Sequence, residues 1–463
     1  MLVHNDVMRD ARVLKEADSL ALVGHDVNVV GLGEKDGLIE NRASGATVEW
    51  LYSDVNRLLT IKFILVTIGL VSGIRRNRTY CLVATHIVVI VALLIFLNVG
   101  WALLYAACAV ADTLLRSKSP LRKMVAASCG LLLKGLRWCL TKARGKLKTI
   151  ARTESFFNRG LIEPIDVVHC HDWVALPAAI KIKKKTGCKL VWDAHEIYED
   201  VAQSRPAYYT EFIKVLLGRS QQYIDMFITI NSSIAEFYKT NYPRLPEAVV
   251  IKNSVPNIPG HRYDGRLHKR ANLPREQKIL LYQGGYAEKR GLHDTVEMAR
   301  FLRDDMTLVM MGWGGIETTL KAAATQIVNQ QEGRVYPSIV FIPPAPHAEL
   351  IEWTSGANVG LILYENIGLN HLYCTPNKLW EYPAAGVPIL CTPLVEMKKA
   401  IERWSIGWSV DADTSPKIMA EQVNGISDEM FHNAVGRCET YMQNDGWHIY
   451  EESLVSMYKN LES

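Results

Sequence analysis

A predicted glycine-rich turn followed by two cations is the first part of the sequence whose residue types could do chemistry. Residues 283–292 read QGGYAEKRGL and follow an apolar run that is typical of a buried strand. Glycines allow backbone amides to approach an anion, and Lys289 or Arg290 can neutralise a phosphate. As a single motif this is weak, and a solvated loop is the alternative. The pattern makes Gly284 and Gly285 candidates for a phosphate-binding site together with the two cations.

Further candidates follow two later strands. Gly312 and Gly314 stand in the sequence GWGG after another apolar run, where a simple strand-to-helix turn is the alternative. Thr375 is predicted to cap a helix with Pro376 at its first position, and the free amides of a helix start bind anions. Glu381 would lie about 9 Å along that helix. This distance fits a carboxylate that binds ribose hydroxyls next to a pyrophosphate.

Histidines and carboxylates follow two strands in the first part of the chain. His171 and Asp172 end the run HCHD, and His195 and Glu196 end the run DAHE. Because ligands of doubly wound sheets bind at the carboxyl ends of strands, we expect these groups to meet across a cleft. The HCHD run also resembles a local metal site. No second pair of ligands follows at zinc spacing, so we predict no metal.

The elements that must position these residues form two blocks in which short β-branched runs alternate with helical patterns. This alternation is typical of parallel α/β layers. In the first block, Asp10 can cap a helix that starts at Ala11. The strands are predicted at residues 1–4, 27–30, 167–169, 189–192 and 226–230 in the first block, and at 249–251, 279–282, 307–311, 339–342, 359–362 and 387–390 in the second. A chain of 463 residues is also long enough for two domains. We therefore predict an α/β fold of two Rossmann-like domains that face a cleft.

A segment of very different composition interrupts the first block. Residues 58–153 contain 15 Lys and Arg against one acidic residue, although the whole chain has a formal charge of only +4. Within this segment, residues 58–74 have Lys62 as their only charge and residues 79–111 have none. Uncharged runs of this length beside basic flanks favour a membrane segment over a buried helix of a soluble protein. We predict a hydrophobic helical membrane insertion.

Two topologies of the insertion remain open. A helix of 33 residues would be about 50 Å long, against a hydrocarbon core of about 30 Å, and Asn98 to Gly100 offer a break. The chain either spans the membrane twice or forms a re-entrant hairpin over residues 79–111. Basic residues on both flanks favour the hairpin. Residues 132–150 follow with the pattern of an interfacial helix whose basic face meets anionic lipids, and a helix that packs on a partner protein is the alternative.

Taken in order, the motifs outside the insertion resemble those of the retaining glycosyltransferases with two Rossmann-like domains (GT-B fold) that are called group 1 or family 4. The resemblance rests on residues 3–30, 169–172 with 176–177, 193–196, 284–291, 312–314, 376–382 and 385–388. It implies that a sugar is transferred from a nucleotide-sugar, held mainly by the second domain, to an acceptor held by the first. The two blocks place the linker between the domains near residues 243–253, which gives domains at 1–57 with 154–245 and at 246–440. The last unit, 441–463, is predicted to form a helix over residues 441–461. In the family the corresponding helix crosses back to the first domain, and a solvent-facing cap is the alternative.

The resemblance also implies roles for single residues. By similarity, Glu381 takes the ribose hydroxyls, and Asn377 and Lys378 lie at the pyrophosphate. Arg290 stabilises the leaving diphosphate, and His171 faces the acceptor and the transferring sugar. The anomeric configuration is retained. No metal or other cofactor is implied, because cations and a helix terminus meet the charge of the leaving group.

Two positions depart from the pattern of the family. Many relatives carry a second Glu eight residues before the ribose Glu, in contact with the donor sugar, and this chain has Tyr373 there. Many also carry Arg directly after the first glycine of the phosphate loop, where this chain has Gly285. Both differences leave the donor sugar open. Lys378 or Lys289 is the candidate to replace the missing cation.

From the insertion and the resemblance together, we predict a membrane-bound retaining glycosyltransferase with a lipid-linked acceptor, such as a polyprenyl-diphosphate sugar or a glycolipid. A soluble acceptor would not require so much apolar surface in a bilayer. Nine cysteines without a C-x-x-C pair fit a reducing compartment, so we expect the cytosolic face of a bacterial inner membrane or an equivalent membrane. Anionic lipids are expected partners and nucleic acid is not. A non-catalytic membrane scaffold of a glycan-assembly complex and a sugar-nucleotide epimerase of the same fold are the alternatives.

Overall fold

The computed structural model describes residues 1–33, 37–51, 149–201, 206–257, 263–411 and 413–462. The membrane insertion predicted at residues 58–153 therefore lies outside the described residues except at its end, and so does most of the predicted interfacial helix. Among the described residues, no helix combines the length and the apolar character that crossing a bilayer requires.

The first part of the chain forms a largely parallel sheet, and we call this sheet with the helices packed on it the first lobe. Its strands are β1 (Asn28–Leu32), β2 (Leu38–Asn41), β3 (Thr47–Leu51), β4 (Val167–His171), β5 (Lys189–Ala194), β6 (Met226–Thr229) and β7 (Ala248–Val250). The described strands lie in the order β2-β3-β1 and β4-β5-β6-β7, and only β2 runs antiparallel to its neighbour. Leu2 joins the two groups, because it bridges Val30 and Cys170. Leu2 therefore occupies the strand position that the sequence predicts for residues 1–4.

Helices cover this sheet through their apolar faces. They are α1 (Ala11–Leu22), α2 (described over 149–159), α3 (Asp172–Thr186), α4 (Tyr198–Val201), α5 (Ala207–Ser220) and α6 (Ser232–Asn241). α1 begins at the predicted place, because the Asp10 side chain accepts a hydrogen bond from the backbone amide of Val13. In α2, Ala151 is 1% exposed and Arg152 Nη1 lies 3.1 Å from His4 Nε2, so the described end of the predicted insertion packs against this lobe. Phe156, just beyond that end, is 1% exposed in the core of the lobe.

The second part of the chain forms a parallel sheet with its own helices, and we call it the second lobe. Its strands are β8 (Lys278–Tyr286), β9 (Met306–Gly314), β10 (Ile339–Ile342), β11 (Val359–Ile362), β12 (Ile389–Cys391) and β13 (Gly407–Ser409). Their order in the sheet is β10-β9-β8-β11-β12-β13. This is the strand order of a Rossmann fold, which confirms the predicted architecture. It also places the topological switch point, where ligands bind in such sheets, between β8 and β11.

The helices of the second part pack on both faces of this sheet and then return to the first lobe. They are α7 (Arg266–Ala271), α8 (Leu292–Met298), α9 (Glu317–Asn329), α10 (Leu350–Thr354), α11 (Leu369–Leu372), α12 (Lys378–Ala384), α13 (Val395–Trp404), α14 (Pro416–Asn424), α15 (Asp428–Asp445) and α16 (Trp447–Glu462). α16 buries Tyr450, Leu454 and Met457 in a cluster with Val13 and Leu20 of α1. The end of the chain thus packs on the lobe in which it began.

Two predicted elements differ from those observed. β7 pairs in parallel with β6, so Val249 and Val250 end the first sheet and do not open the second. The single helix expected over residues 441–461 is divided at Gly446, where the backbone is extended. A Cβ atom at Gly446 would lie 2.4 Å from the carbonyl oxygen of Met442, so the close turn between α15 and α16 requires a glycine.

The glycine pairs at 284–285 and 312–314 also lie inside strands and not in turns as predicted. β8 and β9 remain paired as far as Gly285 opposite Trp313 and Tyr286 opposite Gly314. A Cβ atom on Gly312 would lie 1.9 Å from the carbonyl oxygen of Gly284. The glycines therefore extend the two strands, because they let the backbones approach where side chains would collide.

Candidate active site

Two cations converge at the end of β8, on the switch point of the second sheet. The Arg290 guanidinium donates from Nη1 to the carbonyl oxygen of Gly285 at 3.3 Å and lies 5.5 Å from the ring centre of Tyr364. Lys378 Nζ lies 3.5 Å from Tyr364 Oη, and the Lys378 side chain is 7% exposed. Two positive charges thus face the same tyrosine on the loop after β11. A group with two negative charges would be held well at this place.

Glycines keep the space beside these cations open. Gly284 has a φ of +120°, and a Cβ atom there would lie 3.1 Å from Lys378 Nζ. At Gly285 the nearest atoms to a Cβ, one of them Arg290 Nη1, would be 3.9 Å away. A ligand can therefore approach the β8 backbone between the two cations. The structure brings together four of the residues predicted for a phosphate site.

Glu381 lies in the first turn of α12, close to this cluster. Its Oε2 accepts a hydrogen bond of 2.9 Å from Gln283 Nε2, and Gln283 Oε1 in turn accepts one of 2.7 Å from Thr354 Oγ1. The carboxylate is 9% exposed. Gln283 of β8 therefore fixes the orientation of the Glu381 carboxylate.

The start of α12 differs from the prediction. The helix begins at Lys378 with Asn377 as its N-cap, and Thr375 does not cap it. The Thr375 hydroxyl instead lies 3.4 Å from Nδ2 of Asn231, which also donates at 2.7 Å to the carbonyl oxygen of Tyr373. Asn231 caps α6 of the first lobe. The segment before α12 is therefore attached to the opposite lobe, and this contact replaces a local cap.

Three other candidates, Lys289, Gly312 and Gly314, make contacts with residues other than Arg290 and Lys378. Lys289 Nζ is 3.4 Å from the Glu365 carboxylate, and its side chain is 54% exposed. Gly312 lies in the β8–β9 pair, and a Cβ atom on Gly314 would lie 2.2 Å from the carbonyl oxygen of Tyr286. The structure accounts for both glycines by strand packing.

A second cluster of polar side chains lies across the cleft, at the carboxyl ends of β4 and β5. The buried Asp193 carboxylate accepts two hydrogen bonds from Arg12, at 2.8 Å from Nε and 3.0 Å from Nη2. It also lies 2.9 Å from His195 Nε2 and 3.2 Å from His171 Nδ1. Burial disfavours a charged His195, but Asp193 and Asp172 outweigh burial and raise the pKa of His195 to about 9.

The two histidines of this cluster differ in access to the cleft. His171 is fully buried, stacks on His169 at 4.4 Å, and has no hydrogen-bond partner at Nε2 among the described residues. The His195 side chain is 18% exposed. It lines two cavities, of about 400 Å³ and 260 Å³, whereas His171 lines neither of them. His195 is therefore the histidine of this cluster that reaches the ligand space.

The larger cavity, which we call the inner cavity, lies between the lobes. Asn5, Asp10 and Arg12 line it from the first lobe, with Asn253 on the linker and Asn377 at the start of α12. The contribution of Arg12 was not predicted from the sequence. The signal that could have identified it is the pair Arg12 and Glu16, two charged residues at helical spacing on the buried face of α1.

Four groups in the first lobe could be mistaken for a metal site. Glu16, His169, His171 and Asp193 place ligand atoms within 4.8 Å of one another. The Arg12 guanidinium already lies between the two carboxylates, with Nε 3.0 Å from Glu16 and 2.8 Å from Asp193. A metal ion there would face a fixed positive charge. Burial, opposed by Arg12, raises the pKa of Glu16 to about 7. We interpret the cluster as an ion-pair network.

Comparisons with known proteins agree with this architecture. Residues 131–256 match the family model Glycosyltransferase Family 4. A glycogen synthase of Mycobacterium tuberculosis is 26% identical over 286 residues, which cover 59% of this chain and 63% of that protein. A D-inositol 3-phosphate glycosyltransferase of Streptosporangium roseum is 24% identical over 276 residues, which cover 56% of this chain and 60% of that protein. The chain thus spans less than two thirds of the length of these relatives.

Solved structures show the same fold at low sequence identity. Sucrose-phosphate synthase from Thermosynechococcus elongatus has a TM-score of 0.63 and 12% identity, over 98% of this chain and 93% of that one. A UDP-forming trehalose-phosphate synthase from Burkholderia xenovorans has a TM-score of 0.60 and 12% identity, over 100% of this chain and 99% of that one. Anabaena HepE, solved with UDP-glucose, has a TM-score of 0.51 and 11% identity, over 68% of this chain and 82% of that one. The fold is the two-lobed GT-B arrangement of these glycosyltransferases.

Proposed function

We propose that this chain is a retaining, metal-independent glycosyltransferase that moves a sugar from a nucleotide-sugar to a lipid-linked acceptor at the cytosolic face of a membrane. The observation that carries the proposal is the convergence of Arg290 and Lys378 beside Gly284 and Gly285, with Glu381 held nearby. The matched family model and the relatives named above support a glycosyltransferase. HepE with bound UDP-glucose supports a nucleotide-sugar as the donor.

Different residues of the site would bind different parts of the donor. The diphosphate would lie between Arg290 and Lys378, where glycine leaves the strand end open. Glu381, which Gln283 already orients, would accept hydrogen bonds from the ribose hydroxyls. Asn377 lines the inner cavity from the second lobe, so the donor sugar would extend from the diphosphate toward the first lobe.

In the transfer step, the acceptor hydroxyl oxygen forms a bond to the anomeric carbon on the face that the diphosphate leaves. The bond from the anomeric carbon to the phosphate oxygen breaks, and its electron pair goes to the nucleoside diphosphate. The proton of the hydroxyl passes to that leaving phosphate. Arg290 and Lys378 stabilise the negative charge that develops on it, and the anomeric configuration is kept.

The membrane part of the proposal comes from the sequence. Residues 79–111 carry no formal charge, and basic residues flank them. This composition supports insertion into a bilayer with anionic lipids and a lipid-linked acceptor, such as a polyprenyl-diphosphate sugar or a glycolipid. The cysteines among the described residues are free thiols, as a cytosolic location would require.

The proposal is tested with detergent-purified protein, a panel of nucleotide-sugars and a membrane lipid extract. We expect one donor to release its nucleoside diphosphate and to label a lipid, with the glycosidic bond in the donor's anomeric configuration. Glu381→Ala should abolish the labelling, and Lys321→Ala, which removes an exposed lysine on α9, should not. Labelling that persists in Glu381→Ala would contradict the assignment. Conversion of the donor without any acceptor would indicate an epimerase, and donor binding by no member of the panel would favour a scaffold.

A further inference from the structure

A second cavity shares His195 with the inner cavity. It has a volume of about 260 Å³, and we call it the aromatic cavity because Trp173, Tyr198 and Tyr209 line it. His195 is the only residue that lines both cavities among those described. A group bound in the aromatic cavity would therefore meet, at His195, a group that enters from the donor side.

The walls of the aromatic cavity favour an uncharged ring. Drug-sized ligands occupy sites of about 300–1,000 Å³, so this smaller cavity fits a single ring. The Trp173 ring makes edge-to-face contacts with the rings of Tyr209 and Phe212, whose centres lie 5.9 Å and 6.1 Å from its own. Fixed aromatic rings pack well against the C–H face of a pyranose, because they offer a broad apolar surface.

Carboxylates supply the polar groups of the same cavity. Asp172 has a φ of +62° and accepts a hydrogen bond of 2.6 Å from Tyr198 Oη. A non-glycine residue in this backbone region stores strain, which is common where a side chain must be aimed. The Glu196 carboxylate is exposed and lines the cavity too. Two carboxylates would accept hydrogen bonds from hydroxyls and would repel a phosphate. Among the described lining residues the one cation is His195, and Asp193 already balances its charge at 2.9 Å from Nε2.

An apolar strip leads from the rim of this cavity along α5. Tyr208, Phe212 and Val215 follow one another at helical spacing and are 54%, 50% and 43% exposed. Phe212 also contacts Trp173, so the strip is continuous with the cavity. A ring in the cavity that carries an apolar chain could lay that chain along the strip.

We propose that the aromatic cavity is the acceptor subsite, and that it binds an uncharged pyranose whose apolar carrier leaves along Tyr208, Phe212 and Val215. The inference rests on the proposed function and specifies its acceptor. The sugar hydroxyl that attacks the donor is then presented at His195. Any phosphate of the carrier lies outside the cavity, away from Asp172 and Glu196.

The test uses the full chain in a detergent without a sugar head group, with octyl glucoside, octyl galactoside and octyl phosphate as probes below their micelle concentrations. Calorimetry should detect an octyl glycoside and no octyl phosphate. Trp173→Ala should weaken glycoside binding about tenfold through loss of the ring. Phe301→Ala, which removes an exposed aromatic of the second lobe, should leave the affinity unchanged. Equal affinities in wild type and Trp173→Ala, or tighter binding of octyl phosphate, would overturn the proposal.

A second variant, Glu196→Gln, tests the same cavity independently of whether Trp173→Ala folds. Glu196 is exposed, so Glu196→Gln should fold, and it should reduce the preference for octyl glucoside over the anionic octyl glucuronide. An unchanged preference would contradict the role of the carboxylate. Donor binding is measured on the same samples. A protein that binds a nucleotide-sugar but no octyl glycoside refutes the subsite alone, whereas one that binds no nucleotide-sugar refutes the proposed function.

Discussion

Trp380 Nε1 donates a hydrogen bond of 2.9 Å to Asp445 Oδ2, and this bond ties the helix of Lys378 and Glu381 to the end of α15. The same carboxylate accepts from Lys252 of the linker at 2.9 Å and from Tyr450 of α16 at 2.6 Å. One buried carboxylate thus connects α12, the linker and α16.

Asp445→Ala should therefore lower both stability and donor affinity. Lys252 is 29% exposed, so the loss falls mainly on the Trp380 and Tyr450 donors, and a buried donor left without its acceptor costs about 1–3 kcal/mol. We expect a lower melting temperature and a weaker nucleotide-sugar affinity in the same variant. Asp428→Ala, which removes an exposed carboxylate at the other end of α15, is the matched control. Equal melting temperatures in the two variants would refute the connecting role of Asp445.

Lys378→Ala should reduce turnover far more than Lys289→Ala. Lys378 is buried beside Arg290, and the loss of one group that stabilises a developing charge costs about 100- to 1,000-fold in kcat. Lys289 is exposed next to Glu365, where solvent screens its charge, so we expect a loss below about threefold. Initial rates of nucleoside diphosphate release measure both. Unchanged turnover in Lys378→Ala would refute its assignment as the missing cation.

Protonation of His195 should make stability depend on pH. Its pKa is about 9 in the folded chain, against an ordinary value of 6.5. The stabilisation, on the order of 3 kcal/mol, is fully present below pH 6.5 and is lost as the pH rises through about 9. The melting temperature of the wild type should fall over this range, and that of His195→Gln should fall less. Glu16 titrates at lower pH, with a pKa of about 7. Parallel curves for the two proteins would show that His195 is not charged in the folded state.

Gly312→Ala should prevent correct pairing of β8 and β9. The new methyl group would lie 1.9 Å from the Gly284 carbonyl oxygen, so the strands must separate beside the proposed phosphate site. Overpacking of this kind costs about 1–3 kcal/mol or more. Gly315→Ala is the control, since a Cβ there meets no atom within 4 Å. Loss of donor affinity and a lower melting temperature are expected for the first variant alone. Wild-type behaviour of Gly312→Ala would contradict the observed strand register.

The sequence predicted the architecture well because apolar runs and capping residues report local structure. The two Rossmann-like sheets, the cap at Asp10 and the strand position of Leu2 followed from such signals. Strand ends were harder, because glycine is common both in turns and where two backbones approach. The sequence therefore predicts turns at Gly284 and Gly312, although both residues lie in a strand pair.

The site was only partly predictable, because its contacts join residues far apart in the chain. Arg12 and Asp193 are separated by 181 positions, and no local pattern pairs them. The alternation of side chains on β4 placed His169 and His171 on one face. It could not show that His171 is covered while His195 reaches the cavities. Likewise, the N-cap expected at Thr375 was displaced by a contact with Asn231 from the other lobe.

Because Asn231 contacts the segment before α12, the two lobes cannot be exchanged between relatives independently of each other. Asn231 holds the backbone at Tyr373, and Asp200 accepts from the amide of Asn370 at 2.9 Å. A chimera that joins the second lobe to a relative's first lobe would lose both hydrogen bonds to the segment that precedes Lys378. Transplanting the second lobe between relatives thus requires the matching residues of α4 and α6 to be transplanted with it.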